Sequence, residues 1–511
     1  MYGKVNGVTV VGVRGRLVMV EAYIGRGLPA LCLTGLPGPA VNDARERVRP
    51  AVESSGLEWP LRRVVVNLSP VNLRKDGPGL DLPIAMGVLA ASAQVPGDRL
   101  SGYVLSAELS LQGALMPTPG TLAVAMAAAR EGKEGVIVPA ANAREAALVE
   151  GIRVIGAPSL RTAVEFLRGT WQPERLPPEP PAPDPGAAVD LAEVRGQHRA
   201  RRALEVAAAG GHNLLLVGSP GAGKTMLARR LPTILPAMTR DEALEVTMLH
   251  SVAGLLTRSG LVAARPFRSP HHSVSLAGLL GGGSGFARPG EVSLAHNGVL
   301  FLDELNEFRR DAIEALRQPL EDGRVVVTRV AGAVEFPARL TLVGAANPCP
   351  CGFEGDPRRA CRCPPNRLDQ YRGKLSGPLI DRIDLRLTVP RLTKTELLGE
   401  TPGEPSTAVR ERVEEARNRQ RVRYRGAPWR CNGDLSGPAA RREAMLSAEA
   451  SSLLARAVDG LALTGRGVDR AIKVARTVAD LDGSDQVSAA HLGEALSYRA
   501  EVAEPQPARA V

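Results

Sequence analysis

Asn213-Leu-Leu-Leu-Val-Gly218-Ser219-Pro220-Gly221-Ala222-Gly223-Lys224-Thr225 decides how the rest of the chain is read. The apolar run 214–217 predicts a buried strand, and the residues from Met226 onward predict a helix. The turn between them has the spacing Gly-x-x-x-x-Gly-Lys-Thr. Glycines at such positions let successive backbone N–H groups turn inward on phosphate oxygens. Lys224 then reaches the β and γ phosphates, and the Thr225 hydroxyl can hold Mg²⁺. Residues 218–225 are therefore expected to bind a nucleotide. Lys224 is one of only seven lysines in the chain.

Further downstream, Val299-Leu-Phe-Leu-Asp303-Glu304 is a second strand ending in two carboxylates. In an open α/β sheet, ligands bind beyond the carboxyl ends of the strands. This puts Asp303 beside the phosphate loop as a second holder of Mg²⁺. Glu304 is placed to polarise the water that attacks ATP. Leu340-Thr-Leu-Val-Gly-Ala-Ala-Asn347 repeats the pattern, with Asn347 available to the γ-phosphate or the lytic water, or else to cap the turn before Pro348. Arg382, in Gly377-Pro-Leu-Ile-Asp-Arg-Ile-Asp-Leu, can stabilise charge on a transferring phosphoryl group of a neighbouring subunit, or pair with Asp381 or Asp384. The amphipathic stretch 463–481 carries Arg470 as a second sensor, with Arg466 as competitor and a structural ion pair as the alternative for either.

At 511 residues and 44% hydrophobic content the chain can form several cores, and with 3% aromatics it must fill them with aliphatic side chains. The net charge of +10 suits a polyanion such as DNA, and equally a solvated basic surface. There is no run of eighteen apolar residues and no charged-then-apolar leader at Met1-Tyr-Gly-Lys. A cytoplasmic protein without membrane attachment is the expectation. Seven prolines within 171–186 make 171–188 an extended linker. The expected division is 1–170, this linker, an ATPase core at 189–395 and a helical C-terminal lid at 396–511.

Residues 1–170 alternate strands (8–13, 17–22, 63–68, 135–139) with helices (40–54, 122–131). Lys75-Asp-Gly-Pro-Gly-Leu-Asp81, Gly113-Ala-Leu-Met-Pro and Ile137-Val-Pro-Ala-Ala-Asn142 resemble, in this order, the proteolytic domain of Lon-type proteases. Where that family has its nucleophilic serine this chain has Gly79, and where it has its lysine this chain has Val124. Neither can act as nucleophile or base, so an α+β domain lacking its catalytic dyad, used for assembly or binding, is expected.

The nucleotide motifs together resemble the AAA+ superfamily, which implies a P-loop αβα sandwich with a helical lid. Arg265-Pro-Phe-Arg-Ser-Pro-His-His272, Gly281-Gly-Gly-Ser and Pro289-Gly-Glu-Val-Ser-Leu-Ala-His-Asn-Gly298 narrow this to the magnesium-chelatase-related branch. With the Lon-like region in front, about nine tenths of the chain is similar to the ComM/YifB family of magnesium chelatase-like ATPases. The resemblance implies a hexameric, ATP-driven DNA motor, associated with branch migration during natural transformation.

Residues 321–336 read as a β-hairpin turning at Ala331-Gly332, where related helicases project a hairpin into the ring channel. Arg324 and Arg329 are its candidate phosphate contacts, a merely structural hairpin being the alternative. His271 and His272 alone make no metal site. Cys349, Cys351, Cys361 and Cys363 form two pairs that suggest a four-thiolate zinc site, or remain free thiols. Cys32 and Cys431 read as packing residues. In the expected helix 407–425 the arginines from Arg417 onward lack acidic neighbours, leaving them for DNA or for solvent.

Three functions compete. Gly79 and Val124 oppose an ATP-dependent protease. A motor subunit of a metal-insertion complex shares the ATPase motifs, but the region 1–170 looks foreign to it and no porphyrin pocket is suggested. A DNA-translocating ATPase ring is the expectation.

Overall fold

The computed structural model describes residues 1–174, 189–256, 260–283, 287–329, 332–356, 358–374, 377–398, 403–461 and 463–500. Most of the expected linker, 175–188, lies outside them.

Two sheets dominate. The first contains β1 (Tyr2–Val11), β2 (Arg14–Gly25), β3 (Ala30–Thr34), β4 (Arg63–Ser69), β5 (Tyr103–Leu105), β6 (Gly135–Pro139) and β7 (Arg153–Ala157), in the order β3-β4-β2-β1-β5-β6-β7. β1, β2 and β4 are antiparallel neighbours, and β1-β5-β6-β7 are parallel. Alternation buries Val18, Val20 and Ala22 of β2 and Val64, Val66 and Leu68 of β4 against helix Asp81–Ala91, whose residues are nearly all apolar. The expected strand 8–13 begins earlier, at Tyr2, and ends at Val11. The expected helix 40–54 is broken at Asp43 into Pro39–Asn42 and Ala44–Ser54.

The Lon-like departures are built into this layer. A Cβ at Gly79 would stand 2.7 Å from the Ser106 hydroxyl. Val124 is buried in helix Thr121–Arg130 among Val8, Val136 and Val138. Lys75 is fully buried and donates to the Gly35 and Pro70 carbonyls, so its amine holds loops together.

The second sheet is parallel throughout: β8 (Leu214–Val217), β9 (Phe267–Arg268), β10 (Val299–Leu302), β13 (Thr341–Ala346) and β14 (Leu385–Thr388), in the order β9-β10-β13-β8-β14. Its central strands are apolar on both faces, as a covered parallel sheet requires. Helices His198–Gly210, Lys224–Ile234 and Gly465–Leu481 share one core with it. Between β10 and β13 stands a hairpin of β11 (Arg324–Arg329) and β12 (Gly332–Pro337). The pairing Arg329↔Gly332 makes Gly332 a strand residue, where a turn at Ala331-Gly332 was expected; residues 330–331 lie outside the described set.

The hairpin base rests on the first sheet. A Cβ at Gly12, in the β1–β2 turn, would meet Val334 at 2.7 Å. Nearby, the Gly120 N–H donates to the Ser251 hydroxyl (3.0 Å), and Arg240 pairs with Glu150 (2.8 Å). After β14 the chain is helical, with Ser406–Arg423, Gly465–Leu481 and Ala489–Ala500 packed together. No helix among the described residues is long and apolar enough to cross a membrane.

Candidate nucleotide site

The loop after β8 sits at the carboxyl edge of the parallel sheet, as in open α/β ligand sites. Gly218 is required there by close approach: a Cβ would lie 2.4 Å from the Val389 carbonyl oxygen. Gly221 and Gly223 have φ of +80° and +94° and lead into helix Lys224–Ile234. Lys224 is buried at 8% exposure. Its Nζ donates to the carbonyls of Gly218 (2.6 Å) and Ser219 (3.2 Å) and to Asn347 Oδ1 (3.1 Å). Burial lowers its pKa from the ordinary lysine value, against the pull of Asp303 and Glu304.

Thr225 Oγ1 donates to Asp303 Oδ2 at 2.8 Å, so the hydroxyl and carboxylate expected to share Mg²⁺ are already in contact. Both are hard oxygen donors with a buried cationic neighbour, a set that fits Mg²⁺ with phosphate oxygens completing its shell. The Glu304 N–H donates to Asp303 Oδ1 (3.0 Å), and Glu304 takes the left-handed conformation (φ +51°, ψ +48°). Its carboxylate is half exposed, 3.6 Å from His272 Nδ1. The His271 and His272 ring centroids lie 4.0 Å apart with the rings tilted by 35°.

The structure thus brings residues 218–225, Asp303, Glu304 and Asn347 together. Arg382 and Arg470 lie elsewhere. The Asp384 and Leu385 N–H groups donate to the Asn213 carbonyl, placing both arginines at the amino edge of the sheet. One four-residue strand, about 13 Å, separates that edge from the phosphate loop. Arg382 is 5% exposed and ion-paired with Glu321, not with Asp381 or Asp384; Arg317 and Arg466 bear on it electrostatically. Arg470 Nη1 donates to Asp384 Oδ1 at 2.5 Å. A second-sensor contact from Arg470 to its own chain's loop is therefore not made, because this buried carboxylate holds the guanidinium. Arg466 is exposed.

Two participants escaped sequence reasoning. Arg391, just past the carboxyl end of β14, donates from Nε to Ser219 Oγ (3.0 Å) and pairs with Asp356 (3.0 Å). Asn213 joins three strand starts, its Nδ2 donating to the Arg382 carbonyl (3.0 Å) and its Oδ1 accepting from the Leu342 N–H (2.9 Å). A polar residue abutting an apolar strand was the only available signal.

The DNA candidates fare unevenly. Arg324 lies at the hairpin base and lines a cavity of about 910 Å³ against the first sheet, 3.4 Å from cross-strand Glu335. Arg329 is the last residue of β11, and its side chain is outside the described set. Three of the arginines expected to lack compensation find partners across the fold. Arg417 donates to the Ala208 carbonyl, Arg419 to that of Gly483, and Arg423 to Asp480. Arg268 likewise makes a bidentate pair with Glu291 (2.6 and 2.7 Å), joining two segments of the chelatase-like signature.

Three family models match the chain in succession. That described as subunit ChlI of Mg-chelatase covers residues 20–142, that of magnesium chelatase, subunit ChlI, covers 190–397, and that of its C-terminal part covers 403–499. The first of these removes the argument that region 1–170 is foreign to chelatase-type proteins. The chain is 46% identical to an uncharacterized protein of Mycobacterium tuberculosis over 499 residues, 97% of this chain and 98% of that one. It is 43% identical to uncharacterized protein YifB of Escherichia coli (96% and 95% covered) and 41% identical to competence protein ComM of Haemophilus influenzae (96% and 96%). A Lon protease of Geobacter metallireducens is 24% identical over 208 residues, 38% of this chain and 24% of the protease.

Proposed function

The chain belongs to the ComM/YifB family of magnesium chelatase-like proteins, and from that premise we propose that it is an ATP-hydrolysing AAA+ ring motor acting on DNA. One observation carries the ATPase reading: Lys224, Thr225, Asp303, Glu304 and Asn347 converge at one sheet edge through bonds of 2.8–3.1 Å.

The β and γ phosphates replace the carbonyl oxygens and the Asn347 amide oxygen that Lys224 now serves. Thr225 and Asp303 would hold Mg²⁺, which would supply positive charge to the phosphate oxygens. Glu304 orients and polarises the attacking water, and its left-handed backbone supports that role, since strain of this kind concentrates at functional sites. Asn347 holds the γ-phosphate or that water. Arg382 and an arginine of the 466–470 turn stand at the opposite edge, so they serve the nucleotide of an adjacent copy, which favours a closed ring, a hexamer by analogy with the family.

DNA is supported by the net charge of +10, by the hairpin whose first strand ends in Arg329, and by the name competence protein carried by a relative. Helicase or branch-migration activity during natural transformation is the specific form proposed. The chelatase descriptions of all three family models favour one second reading, a motor subunit of a metal-insertion complex. Measuring ATP turnover with and without single-stranded or branched DNA separates them. Stimulation supports the DNA motor; indifference to every DNA form, with basal turnover intact, refutes it in favour of the second reading.

A further inference from the structure

Between the end of β13 and helix Pro365–Gly373 the described chain has neither strand nor helix. Irregular segments of this length inside a compact fold are uncommon unless they are functional. Here the four cysteines are gathered. Their sulfurs lie within 4.8 Å of one another, with Cys349–Cys351 at 3.3 Å and Cys361 at 3.6 Å from each. A tetrahedral four-thiolate zinc site, with bonds of about 2.3 Å, sets sulfur–sulfur distances of roughly 3.8 Å. The Glu354 N–H points at Cys349 Sγ (3.3 Å) and the Cys363 N–H at Cys361 Sγ (3.4 Å), the second-shell donors that anionic sulfur favours.

The clustered segment is laid directly on the phosphate loop. Cys349 follows Asn347, the acceptor of Lys224, by two residues. Gly352 (φ +80°) abuts Pro220 so closely that a Cβ would stand 2.6 Å from its ring. Asp356 pairs with Arg391 (3.0 Å), and Arg391 donates to Ser219 Oγ (3.0 Å) and to the Pro220 carbonyl (3.4 Å). The Phe353 ring receives Arg391 at 5.5 Å and Arg359 at 5.1 Å.

We propose that Cys349, Cys351, Cys361 and Cys363 bind one zinc ion, and that this metal clip holds segment 347–356 against Pro220 and Ser219, so that zinc occupancy sets nucleotide affinity. The inference rests on the nucleotide reading above. With the metal in place, Asn347, Gly352 and Asp356 approach the loop from one rigid piece. Without it nothing ties the four sulfurs together, the segment loosens, and the Ser219–Arg391–Asp356 chain loses its anchor.

The test uses the full-length protein. Its zinc content is measured, and affinity is read with a fluorescent ATP analogue and Mg²⁺, before and after treatment with a zinc chelator that is removed by gel filtration. One zinc per chain is expected, with affinity falling at least about ten-fold on removal, as loss of positioning would give, and returning with added zinc. Gly352→Ala guards against general unfolding on metal loss. It should keep its zinc and its melting temperature within a few degrees while losing affinity by a similar factor. Protein that carries no zinc, or that binds the analogue equally well with and without it, overturns the proposal. Unchanged affinity in a zinc-loaded Gly352→Ala variant does so too. Failure of the zinc-replete wild type to bind any nucleotide refutes the nucleotide reading itself, and this inference with it.

Discussion

Replacing Arg470 by alanine tests whether that residue is primarily a structural ion partner. Asp384 is 6% exposed, and its Oδ1 accepts from Arg470 at 2.5 Å, while Oδ2 keeps His212 and the Asn213 N–H, both at 3.3 Å. Removing one member of a buried pair costs about 3–5 kcal/mol, because the other charge stays desolvated. The surviving contacts to Oδ2 place the expected loss at the lower end, about 3 kcal/mol. At roughly 2 °C per kcal/mol for a folding unit of this size, the melting temperature should fall by about 6 °C.

The pH dependence has a definite sign. Burial alone would raise the Asp384 pKa, but Arg470, then His212 and Lys473, hold the carboxyl well below its usual range. Its contribution is therefore present above the unfolded value near pH 4 and is lost as pH falls through the lower folded value. In the variant burial dominates and the carboxyl pKa rises, so acidification from pH 7 toward about 5 relieves the penalty and narrows the gap to wild type. Asp384→Asn in the Arg470→Ala background should recover part of the loss. Thermal unfolding followed by circular dichroism reads all three. A variant that melts with the wild type yet has lost ATP turnover would refute the structural assignment and restore Arg470 as a nucleotide sensor.

Glu304→Gln should retain nucleotide and lose turnover by about 10²–10⁴-fold, measured as phosphate release beside analogue binding; hydrolysis at the parental rate removes Glu304 from its role. Lys224→Ala should abolish nucleotide binding in the same assay, since Lys224 is the buried cation that donates into the loop from its interior. Mixing Arg382→Ala with Lys224→Ala protein should restore some hydrolysis at mixed interfaces, and no recovery despite verified co-assembly contradicts action between copies.

Contiguous signals were legible in the sequence. The loop 218–225 and the strand ending in Asp303-Glu304 carry their chemistry at the end of an apolar run, and strand polarity fixes where that end lies. The start of the second hairpin strand was misread, because Gly332 reads as a turn glycine although it pairs with Arg329 as a strand residue. Arg391 and His272 were invisible as site residues, since each arrives from a segment distant in sequence and only the folded sheet brings them to the phosphate loop and to Glu304. Charge compensation was misread for a related reason. Arg423 is balanced by Asp480, fifty-seven positions away, and no i,i+4 pattern can reveal that.

The parallel sheet has one further consequence. Each polypeptide offers a phosphate receptacle on one rim and guanidinium groups on the other, so two copies meeting rim to rim about a two-fold axis would oppose like to like and complete no active centre. Head-to-tail, heterologous contact is the arrangement that joins unlike rims, and repeating it must either close on itself or grow without limit. If Arg382 acts on the nucleotide of the adjacent copy as proposed, the smallest catalytic unit is an interface rather than a molecule, and dilution alone should extinguish turnover before it unfolds anything.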